Sequence, residues 1–485
     1  MKRSAFVLPA VALLIVGGIP VAAQQLPPIR QLGSPVSTTA EKLGAVSAVR
    51  QLSDGRVLVN DIIGRRVLLF DPTLKNFTLV ADTTSATANA YGTRAGGLIA
   101  YRGDSTLFVD PASLSMLVID GNGKIARVMS APRAADATFL VGGPFGSPGF
   151  DPQGRLIYRP PPRPVFGGGP AARGAQGGSR AEITMPVMPD SAPLVRVDLA
   201  TRKLDTLAFF RTQRMQMNMT RNADGGISMT STVNPLPVVD DWGVLPDGTV
   251  ALVRGRDYHI DWVTPEKSMT TSPKIPFEWE RLSDDAKVAY IDSVRKVMQE
   301  ARASGNLGGM FGAATGGMQM MRMGGAGEGG ERRAAPGAAA TPGAAAPQSG
   351  TQTPAPGGGA ANTQSTTTIV TDGGTSVTTG PGGGRGPMGG QLPELTFIAP
   401  TELPDYKPPF AGGATRVDAD GNLWIRTTQN VKGLPVYNVV NRKGELIDRV
   451  QLPAGRVIAG FGAGATIYLA YRDGDTARLE KLSAK

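Results

Sequence analysis

The sequence predicts an all-β fold, a six-bladed β-propeller with a helical and unstructured insertion between blades four and five. Three observations lead there. Short alternating apolar runs are separated by turn pairs, the pattern recurs about every fifty residues, and no single copy is large enough to bury its own faces. The clearest copy runs from Arg416 to Pro453. There Asp420-Gly421 turns Arg416–Asp418 into Leu423–Arg426, and Arg442-Lys443-Gly444 turns Tyr437–Val440 into Leu446–Leu452. Four strands at that spacing suit an antiparallel meander.

In chain order, Leu43–Leu52 and Arg56–Asp61 flank Asp54-Gly55, followed by Val67–Asp71 and Phe77–Val80. A second copy runs Gly96–Ala100, Thr106–Asp110, Met116–Asp120 and Ile125–Met129, with Gly103-Asp104-Ser105 in place of the Asp-Gly pair. A third starts at Gly149–Tyr158 and resumes at Leu194–Asp198 and Leu204–Phe210; the Pro/Gly-rich interval 160–193 reads as a loop. A fourth runs from Trp242 to Val263, and a sixth, turning at Ala463-Gly464, from Val457 to Leu482. The sixth lacks a fourth strand, and the segment 28–34 is the expected donor that closes the ring and removes its exposed edge.

The rest of the chain is different in kind. Lys2-Arg3, an apolar run from Ala5 to Ile19 and Val21-Ala22-Ala23 outline an export signal over residues 1–23, cleaved before Gln24. Residues 24–276 then carry blades one to four. In the segment 277–304, Val288, Ile291, Val294 and Met298 at spacings of three and four predict a helix over Leu282–Ala303, with Ser283 as N-cap. From 305 to 391, Gly, Ala, Pro, Thr and Ser dominate, which predicts disorder. Residues 392–485 return to blades five and six. The chain has no Cys, so it has no disulfide, thiolate nucleophile or lipid-anchor cysteine. Its net charge of +10 comes without a basic run interleaved with aromatics, so no nucleic-acid partner is expected.

The motifs Val417–Ile425, Ser53–Val59 and Val67–Asp71 resemble the blade signature of bacterial six-bladed β-propellers of the NHL-repeat and TolB-like type. The resemblance covers most of 28–276 and 395–485. It implies the fold and little about function, because such propellers include protein-binding scaffolds, lyases and lactonases.

The second strands end on polar residues in every copy: Asn60-Asp61, Asp110, Arg159, Arg254, Arg426 and Arg472. In a propeller these ends share a face, so the four arginines form a candidate ring for a carboxylate or phosphate; otherwise each is a solvated strand end or is paired with a neighbouring blade's Asp. His259, the only histidine, rules out a multi-histidine metal site. With Asp257 and Asp261 on the same side of its strand it is a candidate ligand-binding or base residue, set against an ordinary hydrogen-bonded histidine. Lactonase-like propellers hold calcium near the axis, where Asp61, Asp110 and Asp241 are candidates, but the surrounding arginines oppose a doubly charged cation. Met215, Met217 and Met219, and the cluster from Met310 to Met323, suit copper(I) or, more simply, flexible packing. The resulting expectation is an exported, periplasmic or extracellular, monomeric propeller that binds a protein or a small anionic ligand of the cell envelope. No cofactor and no catalysis are expected. The alternative is a lactonase-like or lyase-like enzyme, the only case in which calcium enters.

Overall fold

The computed structural model describes residues 26–84, 91–162, 189–213, 216–221, 227–303, 364–371, 374–381 and 394–483. They form a six-bladed β-propeller, each blade a sheet with four antiparallel strands in meander order. Blade one is Val46–Gln51, Val57–Asp61, Arg66–Phe70 and Phe77–Ala81. Blade two is Gly97–Ala100, Thr106–Asp110, Ser115–Ile119 and Ile125–Ser130. Blade three is Gly149–Phe150, Leu156–Tyr158, Ser191–Val197 and Leu204–Arg211; its third strand thus begins inside the stretch expected to be loop. Blade four is Asp241–Val244, Val250–Arg254, His259–Val263 and Met269–Thr271. Blade five is Phe410–Val417, Leu423–Val431, Leu434–Val440 and Leu446–Gln451, and blade six holds Arg456–Gly462, Thr466–Asp473 and Thr476–Ser483.

The apolar alternation explains the ring. Successive side chains of a strand point to opposite faces, so each blade fills two cores. Leu58 and Leu69 pack towards blade two, whereas Val57, Val59, Leu68 and Phe70 pack towards blade six. Six such clusters lie between successive blades around the ring. The turn between first and second strands also bonds blade to blade. Asp104 accepts hydrogen bonds from Ser53 N at 2.9 Å and Ser53 Oγ at 2.5 Å, and Arg442 reaches Asp247 at 2.6 Å. The departures from Asp-Gly in copies two and six therefore do not disturb the blades.

Ring closure differs from the expected arrangement. Ile29–Gln31 pairs in parallel with the outer strand of blade five, and Ser37–Thr38 supplies the antiparallel fourth strand of blade six. The predicted donor 28–34 is one step out of place, because its Leu32 is claimed by the core between blades five and six and Arg30 by Asp448 at 2.6 Å. The export signal lies outside the described residues.

The helix α1, Asp284–Ala303, forms where the periodicity places it. Ser283 Oγ accepts a hydrogen bond from Ala286 N at 3.2 Å as the N-cap. Ile291, Val294 and Met298 are buried, but Val288 is 47% exposed. Lys287 takes the inward place instead, its amine paired with Asp405 at 2.7 Å. A small sheet of Gln216–Arg221, Ile227–Val233 and Glu394–Phe397 accompanies the helix. Within the tract expected to be disordered, Gln364–Thr371 and Gly374–Pro381 form an antiparallel hairpin, for which the β-branched run Thr366–Thr371 is suited. The remainder of 305–391 lies outside the described residues. Among the described residues no helix is long and apolar enough to cross a membrane.

Candidate functional site

Strand direction alternates through each meander, so the ends of the second strands and the connectors from one blade to the next share one face. Three long insertions leave from that face: one after the second strand of blade three, one between blades three and four, and one between blades four and five. On it the connector from blade two to blade three reaches the inner strands of blades four and five. Its short 3-10 turn Gly143–Phe145 approaches the innermost strand of blade five. Phe139 and Phe145 stack with ring centroids 4.5 Å apart, and Gly146 lies on the ring of Trp242. A Cβ on Gly146 would meet Trp242 Cε2 at 2.3 Å, and its φ of +92° also favours glycine.

Beside this connector, Asp241 opens the inner strand of blade four. Its carboxylate accepts a hydrogen bond from Thr415 N on blade five at 2.7 Å. Burial raises its pKa above the ordinary carboxylate range, against the pull of that hydrogen bond and of Arg416. The Arg416 guanidinium is spent on the carbonyls of Gly413 and Thr415, at 3.0 and 2.9 Å.

The four predicted arginines occupy corresponding strand ends but do not form one ring. Arg159 shares a side of its strand with Ile157, and Arg254 with Leu252; both partners belong to the core between blades three and four. Arg426 shares its side with Trp424, between blades five and six. Arg472 shares its side with Tyr468, between blades six and one, and donates through Nε to Gly474 O at 3.3 Å.

Their surroundings differ in kind. Arg254 bridges Asp261 at 2.7 Å and Asp240 at 2.8 Å. Burial alone would lower its pKa, but the two carboxylates outweigh it and the net shift is upward. Arg159 has no carboxylate within ion-pair distance among the described residues. Its guanidinium lies 5.7 Å from the centroid of Phe210, and its buried Nε has no hydrogen-bond partner. Burial lowers its pKa, and the Asp241 charge offsets part of that. Arg426, half-buried, likewise shows no hydrogen bond or ion pair among the described residues.

His259 and its flanking acids sit together as expected, but within a filled network. Nδ1 is 2.8 Å from Asp257 and Nε2 is 3.4 Å from Asp261, which also accepts from Thr271 Oγ1 at 2.6 Å and Arg254 at 2.7 Å. The calcium candidates are committed elsewhere. Asp61 accepts from the backbone N–H groups of Gly44, Ala45 and Gly64 at 2.9 to 3.0 Å and pairs with Arg66 at 3.0 Å. Asp110 accepts from Ala112 N at 3.0 Å and Ser113 Oγ at 2.6 Å. Their carboxylates brace the turns after the second strands, so this donor set does not fit calcium, and among the described residues no three acidic or histidine side chains are grouped to hold a metal. The Met clusters lie outside the described residues or on side chains that are not described. Sequence reasoning missed the neighbourhood of Arg159 with Phe210 and Asp241, since those residues come from other strands and no local pattern joins them.

No family model matches the chain, and no curated relative matches it. Solved structures with similar architecture include a gluconolactonase from Xanthomonas campestris, at 9% identity and a TM-score of 0.32 over 95% of this chain and 99% of that one. A calcium-binding regucalcin from Agrobacterium tumefaciens has 10% identity and a TM-score of 0.34 over 94% and 98%. Virginiamycin B lyase from Staphylococcus aureus has 13% identity and a TM-score of 0.26 over 50% and 74%. At these values no residue role passes from them to this chain.

Proposed function

We propose that the chain is an exported, non-catalytic β-propeller that binds a small anion or an acidic partner surface of the cell envelope, with Arg159, between blades three and four, as the anchor. One observation carries this reading: a largely buried guanidinium without an acceptor for its Nε. A buried cation that lacks a partner is costly, and an anion bidentate on Arg159 would supply the missing acceptors. The field of Asp241 lessens that cost without occupying the donors.

Titration calorimetry of the full chain with inorganic phosphate and with citrate tests it. Arg159→Ala should weaken the better binder by tenfold or more, in keeping with a charge-assisted pair worth about 1.5–3 kcal/mol, and binding should weaken as salt rises. Equal binding by wild type and a folded Arg159→Ala variant would refute the anchor. A catalytic propeller is the second reading, favoured by Asp241, because a carboxyl group whose pKa burial raises is shifted in the direction that general acid work needs. Turnover of a lactone panel that is lost in Asp241→Asn would support that reading.

A further inference from the structure

A cleft that Arg159 does not line lies where the outer strand of blade three meets the small sheet and the segment before blade five. Its volume is about 270 Å³, and its lining includes Asp190, Arg211, Gln213, Val238, Ile398 and Glu402. That is room for about nine waters, comparable to a free amino acid or a dipeptide.

The charges of this cleft are not spent on one another. Arg211 carries one positive charge into it, and Asp190 and Glu402 two negative ones. Exposed opposite charges gain little by pairing with each other in water, so all three stay open to a ligand. Among the described residues, none of these three side chains makes an ion pair or a hydrogen bond. Their backbones are held in place. Arg211 N donates to Asp240 at 2.9 Å, Thr212 N to Asp190 O at 2.8 Å, and Glu402 N to Ala399 O at 2.9 Å. Gln213 Nε2 is spent on Asn234 O at 2.9 Å. The cleft therefore offers one guanidinium and two carboxylates. A wholly anionic ligand would meet two like charges, and a wholly cationic one would meet Arg211. A ligand with an anionic group and an ammonium group satisfies all three.

We infer that this cleft binds a small zwitterion of the α-amino acid or dipeptide class, its carboxylate on Arg211 and its ammonium group between Asp190 and Glu402. The inference does not depend on Arg159. The test is calorimetry on the full chain with glycylglycine and the proteinogenic amino acids, with N-acetylglycylglycine and glycylglycine amide as probes that each lack one charge.

At least one zwitterion should bind. For glycylglycine, or for the amino acid that binds, removal of either charge should weaken binding by tenfold or more. Arg211→Met should abolish binding of the zwitterion, and Asp190→Asn with Glu402→Gln should do the same, while Arg159→Ala leaves it unchanged. Arg211 and both acids are exposed side chains, so these variants should keep the wild-type circular dichroism spectrum and melting temperature. No heat from any zwitterion would overturn the assignment. So would equal binding of a singly charged probe, or undiminished binding by a folded Arg211→Met variant.

Discussion

Asp61 separates a structural from a metal-binding reading of the acidic strand ends, and Asp61→Ala measures the difference. Its carboxylate is wholly buried and accepts from three backbone N–H groups, on Gly44, Ala45 and Gly64, besides pairing with Arg66. A hydrogen bond to a charged acceptor contributes about 1.5–3 kcal/mol, so three would give an upper limit near 5–9 kcal/mol. The donors are only part-buried and water can enter the vacated space, which reduces the expected loss to about 3–4 kcal/mol. For a chain larger than 250 residues each kcal/mol moves the melting temperature by about 2 °C or less, so a fall of about 4–8 °C is expected. Asp61→Asn, which keeps one acceptor oxygen, should lose about half as much. Thermal unfolding by circular dichroism, with and without added calcium and chelator, provides the assay. A loss below about 1 kcal/mol would refute the bracing role. A wild-type melting temperature that rises with calcium, and ceases to do so in Asp61→Ala, would show that the carboxylate serves a metal.

Three further outcomes follow from the same geometry. Because burial raises the Asp241 pKa, the folded state holds that proton at higher pH than the unfolded state; its contribution is present below the unfolded carboxyl value and is lost as pH rises through the raised one. Asp241→Asn should therefore flatten the fall in melting temperature as pH rises above the ordinary carboxyl range, and an unchanged slope would assign that fall to other groups. Deletion through Gln31 removes only the fifth strand of blade five and should lower the melting temperature by a few degrees, whereas deletion through Thr39 opens blade six and should leave aggregated protein on size-exclusion chromatography. Gly248→Ala should cost about 1–3 kcal/mol in denaturant unfolding, because its φ is +79° and a Cβ would meet the Asp151 Cα of blade three at 2.6 Å.

What was legible in the sequence was whatever repeats locally. The alternation in Val57–Asp61 and the turn Ser53–Arg56 specify a strand pair wherever they occur, and the copies with altered turns still form blades because Gly103 and Gly464 keep the left-handed conformation such a turn needs. Ring closure was less legible. Strands of two or three residues, such as Ser37–Thr38 and Ile29–Gln31, are too short to show a period, and their place depends on partners more than 400 residues away. The helix was visible in its spacing, but Val288 and Lys287 exchange roles because Asp405, from a distant segment, draws the lysine amine inwards.

The same limit governs the functional face. Polar residues at the second-strand ends could be read from the repeat, and they do share a face. Whether each is spent or available depends on what the neighbouring blade and its connectors bring. Arg254 meets Asp240 from the connector into blade four and is neutralised there. Arg159, at the equivalent place one blade earlier, meets the ring of Phe210. The repeat thus supplies equivalent positions, and the residues that the outer strand of the same blade or the connector leading into it brings to them make them unequal. Binding capacity on this propeller should accordingly follow the long connectors around blades three, four and five, where Arg159 and the cleft of Arg211 lie, and not the regular blades one and two, whose strand-end acids are consumed by their own turns.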